Sequence, residues 1–274
     1  MAQVPAQYYL PVKLIEMFKE ISFCSTCRNR LWQLKDTLHH NLESISDEHE
    51  IVLVDYGSSD GLSDWIWTNF FESIKNKKLV FFEVKNEVRW NVSRAKNLAH
   101  RLASGDYLFN LDADNFITSS DIKIINENRI LNLNCWQFSG IMPDGSYGRI
   151  GVPKKIFDEV GGYDEALLAM GGQDFDLLRR IGSIQKIAKL TPPEKSAIQN
   201  NLNDKIKEII KTPGDDKTSF EKYQLQNNLS VAISNFKLEI EGPVRLGGGF
   251  SYRGLLNGKS VTINGFNDIR YEAE

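Results

Sequence analysis

Two carboxylates one residue apart close the stretch 105 to 115, GDYLFNLDADN, where an apolar run ends at Asp112 and Asp114 and Asn115 follows. Like charges this close repel unless a cation lies between them, and a hard divalent ion with oxygen ligands is the natural resident. A lone Asp-X-Asp also begins turns and caps helices, so the pair decides nothing by itself. A second acidic group, Gly171-Gly172-Gln173-Asp174-Phe175-Asp176, opens a helical pattern. Its glycines allow close backbone approach. Its first turn offers N–H groups that tend to keep Asp174 ionised, the state a proton acceptor needs, although the same acids would serve merely to complement the helix dipole.

The elements around these acids give them a position. Residues 107 to 111 read as a buried strand of a parallel sheet, and such sheets bind ligands beyond the carboxyl ends of their strands. Upstream, residues 21 to 24, 51 to 54 and 79 to 84 are strand candidates. Between them, Leu31, Leu34, Leu38, Leu42 and Ile45 recur at helical spacing, a helix spans 62 to 74, and Val92, Ala95, Leu98, Ala99 and Leu102 mark a third helix that Gly105 ends. The loop from Asp55 to Gly61 holds Ser and Asp residues suited to capping the helix that follows. Strands alternating with helices predict a right-handed, doubly wound α/β sheet.

Beyond the paired acids the pattern predicts a helix over 119 to 131, a strand over 135 to 139, a turn at 143 to 145, a strand over 149 to 152 and a short helix opened by Pro153. Composition shifts after Ile187. Pro192 and Pro193 introduce a polar stretch with helical spacing at Ile198, Leu202, Ile206 and Ile209, ended by Pro213-Gly214. A helix over about 220 to 236 and hairpins at Asn257-Gly258 and Asn264-Gly265 follow. The expected organisation is therefore a catalytic domain over 1–189 and an accessory region over 190–274. The basic helix carrying Lys205, Lys207 and Lys211 is read as a solvated face, with peripheral contact to a membrane or a lipid-linked acceptor left open.

At 274 residues and 41% hydrophobic content the chain can bury one large core. A formal net charge of -3 offers no general footprint for nucleic acid, so an anionic ligand must be held by a few arginines, backbone N–H groups or a metal. No run approaches the roughly 20 apolar residues that span a bilayer, and the expectation is a cytoplasmic protein. Cys24, Cys27 and Cys135 cannot all pair, and Cys24-Ser-Thr-Cys27 has no second pair to complete a zinc site, so these are read as small core side chains.

Four motifs in order carry a resemblance: Thr26-Cys-Arg28-Asn-Arg30, Ser93-Arg94-Ala-Lys96-Asn97, Asp112-Ala-Asp114, and Gly161-Gly-Tyr-Asp-Glu165 followed by Gly171-Gly-Gln-Asp174-Phe-Asp176. Over residues 20 to 182 they resemble GT-A fold glycosyltransferases, namely family 2 enzymes and, in the later part, the catalytic domain of family 7 β-1,4-galactosyltransferases. The resemblance implies a Rossmann-like, mostly parallel sheet flanked by helices, and inverting transfer of a sugar from a nucleotide-sugar donor, UDP-linked, to a saccharide or glycolipid hydroxyl, as in polysaccharide biosynthesis. It implies donor contacts from Thr26, Arg28, Arg30, Asp55, Arg94, Asp112 and Gly172, and acceptor contacts from Met170, Gln173 and Asp176. Asp112 and Asp114 would hold Mn²⁺ or Mg²⁺, and Asp174 would be the general base.

The sequence departs from these families at four places. Gln173 replaces a Glu and Met170 a Trp. Tyr56 stands where family 2 enzymes have a second Asp. The downstream histidine that supplies a third metal ligand in the galactosyltransferases has no counterpart, since His39, His40, His49 and His100 all lie upstream. The alternatives are a nucleotidyltransferase, which would want a glycine-rich loop that residues 25 to 30 lack, and a non-catalytic nucleotide- or saccharide-binding module on the same scaffold.

Overall fold

The structure, a computed structural model, describes residues 19–86, 89–132, 135–138, 148–190, 197–198, 216–245, 251–264 and 268–271. The turn expected at 143–145, the basic helix expected over 198–209 with its three lysines, its Pro213-Gly214 end and the Gly265 turn lie outside these residues, in whole or in all but an end.

Four parallel strands form the centre: β1 (Ile21–Cys27), β2 (His49–Asp55), β3 (Leu79–Val84) and β4 (Tyr107–Asn110), in the spatial order β3-β2-β1-β4. All of β2 is buried, as a strand covered on both faces must be. The two-residue period sorts the side chains. Phe23, Leu53, Phe81 and Phe109 face a core closed by α1 (Leu31–Ser44) and α2 (Leu62–Lys75), whereas Cys24, Val52, Val54, Phe82 and Leu108 face one closed by α3 (Val92–Leu102).

The chain then passes through α4 (Ser119–Asn132), β5 (Cys135–Phe138), β6 (Ile150–Pro153), α5 (Lys154–Glu159), α6 (Gln173–Gly182), β7 (Ile187–Leu190) and α7 (Asp216–Glu241). It ends in β8 (Ser251–Leu256), β9 (Lys259–Asn264) and β10 (Asp268–Tyr271). β6 joins β4 antiparallel and carries β5 and β7 outward. On the opposite edge β8 pairs antiparallel with β3, followed by β9 and β10. The terminal strands thus extend the same sheet.

The expected Asn257-Gly258 turn is present, with both residues at positive φ (48° and 83°), the conformation a two-residue hairpin needs. Its Asn257 side chain accepts a hydrogen bond from Phe81 N at 2.8 Å, which fixes the hairpin to β3.

Candidate active site

β2, β1 and β4 are neighbours, with Cys27 opposite Asp55 and Cys24 opposite Asn110, so one sheet edge collects the residues that follow all three strands. The chain adds β2 and β3 on one side of β1 and β4 on the other. That reversal makes the crevice where ligands bind in such sheets.

On the β1–β2 side, two loops clasp each other. The Arg28 guanidinium donates to Tyr56 O at 3.5 Å. Asn29 adopts a left-handed φ of 52°, which Asn tolerates, and its N–H donates to Ser58 Oγ at 3.0 Å while its Oδ1 accepts from Ser59 N at 2.7 Å. Ser58 N donates to Asp55 Oδ1 at 2.8 Å. Burial of Asp55 raises its carboxyl pKa to about 6, against the lowering effect of Ser58. Asp60 Oδ2 accepts from Leu31 N at 2.8 Å. This corrects the expected capping of α2. Gly61, at φ 85°, occupies that N-cap without a side-chain bond, and the loop's acid caps α1 instead. Thr26 ends β1 opposite Val54 and Arg30 is the N-cap residue of α1. Arg94 lies in the first turn of α3, its N–H bonded to Asn91 Oδ1 at 3.0 Å.

The Asp-X-Asp loop is held by α1 and by the residue that precedes β6. Thr37 Oγ1 donates to Ala113 O at 2.8 Å and Asn41 Nδ2 to Asn115 O at 2.9 Å, while buried Arg149 donates through Nε to Asn115 Oδ1 at 2.6 Å. Asp114 Oδ1 accepts from Asn115 Nδ2 at 2.6 Å. Asp112 is more open, with its side chain 36% exposed, and its Oδ1 accepts from Asn110 Nδ2 at 3.1 Å.

The two acidic motifs, far apart in sequence, meet at a lysine that sequence reasoning left without a role. Lys96 Nζ lies 2.8 Å from Asp174 Oδ1 and 3.5 Å from Asp112 Oδ1, over the Tyr163 ring at 5.3 Å. Gly148 closes the group: a Cβ there would stand 2.8 Å from Asp112 Oδ2 and 3.4 Å from Asp174 Oδ2. Burial raises the Asp174 pKa, Lys96 opposes that rise and Asp112 adds to it. The expectation that the helix N-terminus keeps Asp174 ionised is corrected accordingly, because the charge partner is the buried ammonium. Burial acts to lower the Lys96 pKa, but Asp112 and then Asp174 outweigh it and hold the ammonium above the usual lysine range.

Asp176 is not at this site. It is fully buried, and its Oδ2 accepts from Arg180 Nε at 2.7 Å, which corrects its expected role as an acceptor contact. Asp164 is likewise committed, to Lys237 at 2.6 Å and Arg245 at 2.8 Å. Met170 is half-buried and Gln173 buried beside Asp174. Gly171 and Gly172 do permit a close approach, at φ 96° and 80°, but the approach is by α7. A Cβ on Gly171 would stand 3.0 Å from Asn227 Cα, and one on Gly172 2.9 Å from Ser230 Cβ. One turn before Asn227, Tyr223 is near enough to Asp174 that, after burial, the Asp174 charge raises its phenol pKa. The three cysteines are free and buried, and burial raises the pKa of each thiol, that of Cys135 to about 12.

Asp112 and Asp114 carry the kind of hard oxygen donors that would suit Mg²⁺ or Mn²⁺. Among the described residues no group of three His, Cys, Asp or Glu side chains gathers around a metal position. The donor set therefore fits an ion that completes its shell from phosphate and water. No helix among the described residues is long and apolar enough to cross a membrane.

Residues 22–127 match the family model "Glycosyl transferase family 2". No curated protein matches the chain. Among solved structures, a mannosyltransferase from Pyrobaculum calidifontis in complex with GDP-Man and Mn²⁺ superposes with a TM-score of 0.56 at 14% identity, over 80% of this chain and 74% of that one. TarS 1-349 of S. aureus in complex with UDP-GlcNAc gives 0.52 at 13% identity, over 81% and 76%. GalNAc-T7 with UDP, GalNAc and Mn²⁺ gives 0.53 at 17% identity, over 64% and 43%. The fold is the GT-A fold. Together with the family 2 match over residues 22–127, it supports a glycosyltransferase.

Proposed function

We propose that the protein transfers a sugar from a nucleotide-sugar donor, UDP-linked, to a saccharide hydroxyl with inversion at the anomeric carbon. The observation that carries this reading is the meeting of Asp112 and Asp174 around Lys96 at the carboxyl edge of the sheet. An Asp-X-Asp pair beside a second carboxylate separates a leaving-group side from an acceptor side.

Arg28, Arg30 and Arg94 bind the nucleotide diphosphate and Asp55 the nucleoside, with Thr26 at the same strand end. Asp174 takes the acceptor hydroxyl proton as the acceptor oxygen bonds to the anomeric carbon. The bond from that carbon to the diphosphate oxygen breaks, and its electron pair leaves with the nucleoside diphosphate. Asp174 then returns its proton to solvent. A divalent ion held by Asp112 and Asp114 would offset negative charge on the diphosphate. One base without a second positioned nucleophile favours inversion, because Asp176 and Asp164 are consumed by arginine pairs. Met170 and Gln173 border the acceptor side.

A thermal-shift screen of UDP-, GDP- and dTDP-sugars with and without Mn²⁺ tests the donor assignment. A ligand at a hundred times its dissociation constant adds about 2.7 kcal/mol of apparent stability, and only the correct nucleotide should do so. The anomeric coupling constant of the product, measured by NMR, tests inversion.

A further inference from the structure

Lys96 is 3% exposed, yet it does not sit inside a closed ion pair. Its partners open outward, the Asp112 side chain being 36% exposed and that of Asp174 16%. Two ion pairs buried on both sides differ. Asp176 and Arg180 are both 0% exposed, and Arg101 and Glu165 are 3% and 4% exposed. A lysine that served only to cement α3 to α6 would be expected to resemble those pairs.

Its contacts also make the two oxygens of Asp174 unequal. Oδ1 accepts from Nζ at 2.8 Å, while Oδ2 is the oxygen nearer the surface of Gly148, together with Asp112 Oδ2. The Tyr163 ring also lies against the ammonium, with its centroid at 5.3 Å.

We propose that Lys96 is the positioning residue of the base: its ammonium holds Asp174 by Oδ1, turns Oδ2 toward the acceptor, and separates the base from the negative charge of Asp112. The proposal rests on the reading of Asp174 as general base. The acceptor proton goes to Oδ2, and Lys96 neither gives nor takes a proton during transfer. Without the ammonium, Asp112 and Asp174 would converge as two like charges, and the base would turn away or share a proton with its neighbour. Lys96 pairs with Asp174 and Asp112 and is not among the residues assigned to the nucleotide, Arg28, Arg30, Arg94 and Asp55, so the proposal expects it to act on turnover and leave donor affinity alone.

The test is a mutant cycle of Lys96→Met, Asp174→Asn and the double variant, read as transfer kcat and as donor affinity by calorimetry, with thermal melting to confirm the fold. The proposal expects Lys96→Met to lower kcat at least about 10²-fold while donor affinity stays within about twofold, and the double variant to be no slower than Asp174→Asn alone. Three results would overturn it: near-parental kcat in Lys96→Met while Asp174→Asn is inactive, additive losses in the double variant, or a loss of donor affinity that accounts for the loss of turnover. Should Lys96→Met fail to melt cooperatively, Lys96→Arg replaces it. That variant keeps the charge but changes the contact geometry, and is expected to lose about tenfold in kcat at unchanged donor affinity; unchanged kcat overturns the proposal. Near-parental turnover in Asp174→Asn removes the base, and this inference falls with it.

Discussion

Gly148 abuts Asp112 so closely that a Cβ on the glycine would stand 2.8 Å from Asp112 Oδ2. The atom it would strike is the end of a side chain, which can swing away at little cost to stability, but the swing moves a carboxylate out of the site. Gly148→Ala is therefore expected to melt within a few degrees of the parent while transfer falls at least about tenfold, since sub-ångström misplacement of reacting groups is costly. Steady-state kinetics beside a thermal melt checks both halves.

Gly161 presents the opposite case. A Cβ there would lie 1.8 Å from Arg245 O, a backbone atom just beyond α7, and the residue sits at φ 75°. Gly161→Ala should destabilise the protein by more than about 2 kcal/mol, through strain and displacement of the segment that brings Arg245 to Asp164. Urea denaturation would show a lowered midpoint.

Asp55 makes donor binding depend on pH. Its carboxyl, raised to about 6 chiefly by burial, is protonated below that value and ionised above it. If the carboxylate accepts a hydrogen bond from the nucleoside, affinity for the intact donor should fall as pH drops below about 6, and Asp55→Asn should flatten the dependence. Stability runs the other way. The folded state binds this proton more tightly than the unfolded chain, so the contribution of Asp55 is present at low pH and lost as pH rises from about 4 to 6, by on the order of 3 kcal/mol. Calorimetry of donor binding and denaturant titrations between pH 4 and 7 separate the two effects.

The ion, held by two protein carboxylates, should bind weakly without nucleotide and be removed by EDTA, which is expected to abolish transfer until Mn²⁺ or Mg²⁺ is restored. Full activity in EDTA would instead assign leaving-group stabilisation to Arg28 and Arg30.

Much of this architecture was legible in the chain. The alternation of short apolar runs with helical spacing located the four central strands and their helices within a few residues, because strands buried on both faces are mostly apolar along their length. The site was less legible where its meaning depends on a distant partner. Thr37 and Asn41, one helical turn apart on the buried face of α1, look like blemishes in an amphipathic pattern until the Asp-X-Asp loop arrives to be held by them. The glycines at 171 and 172 announced a close approach without saying by what, and the answer is α7. Lys96 stood inside a quoted motif. Its only local signal was a lysine among the buried positions of a helix, which demands a carboxylate partner that spacing alone cannot name.

The most direct test of the account is turnover in Asp174→Asn. Asparagine keeps the shape of the side chain and can still accept from Lys96 Nζ, but it lacks the basic oxygen. Folding and donor affinity should survive while kcat falls by roughly 10²- to 10⁴-fold, the usual contribution of a general base. A kcat within a few-fold of the parent, in a variant that binds donor normally, would contradict Asp174 as the base and with it the acceptor half of the mechanism.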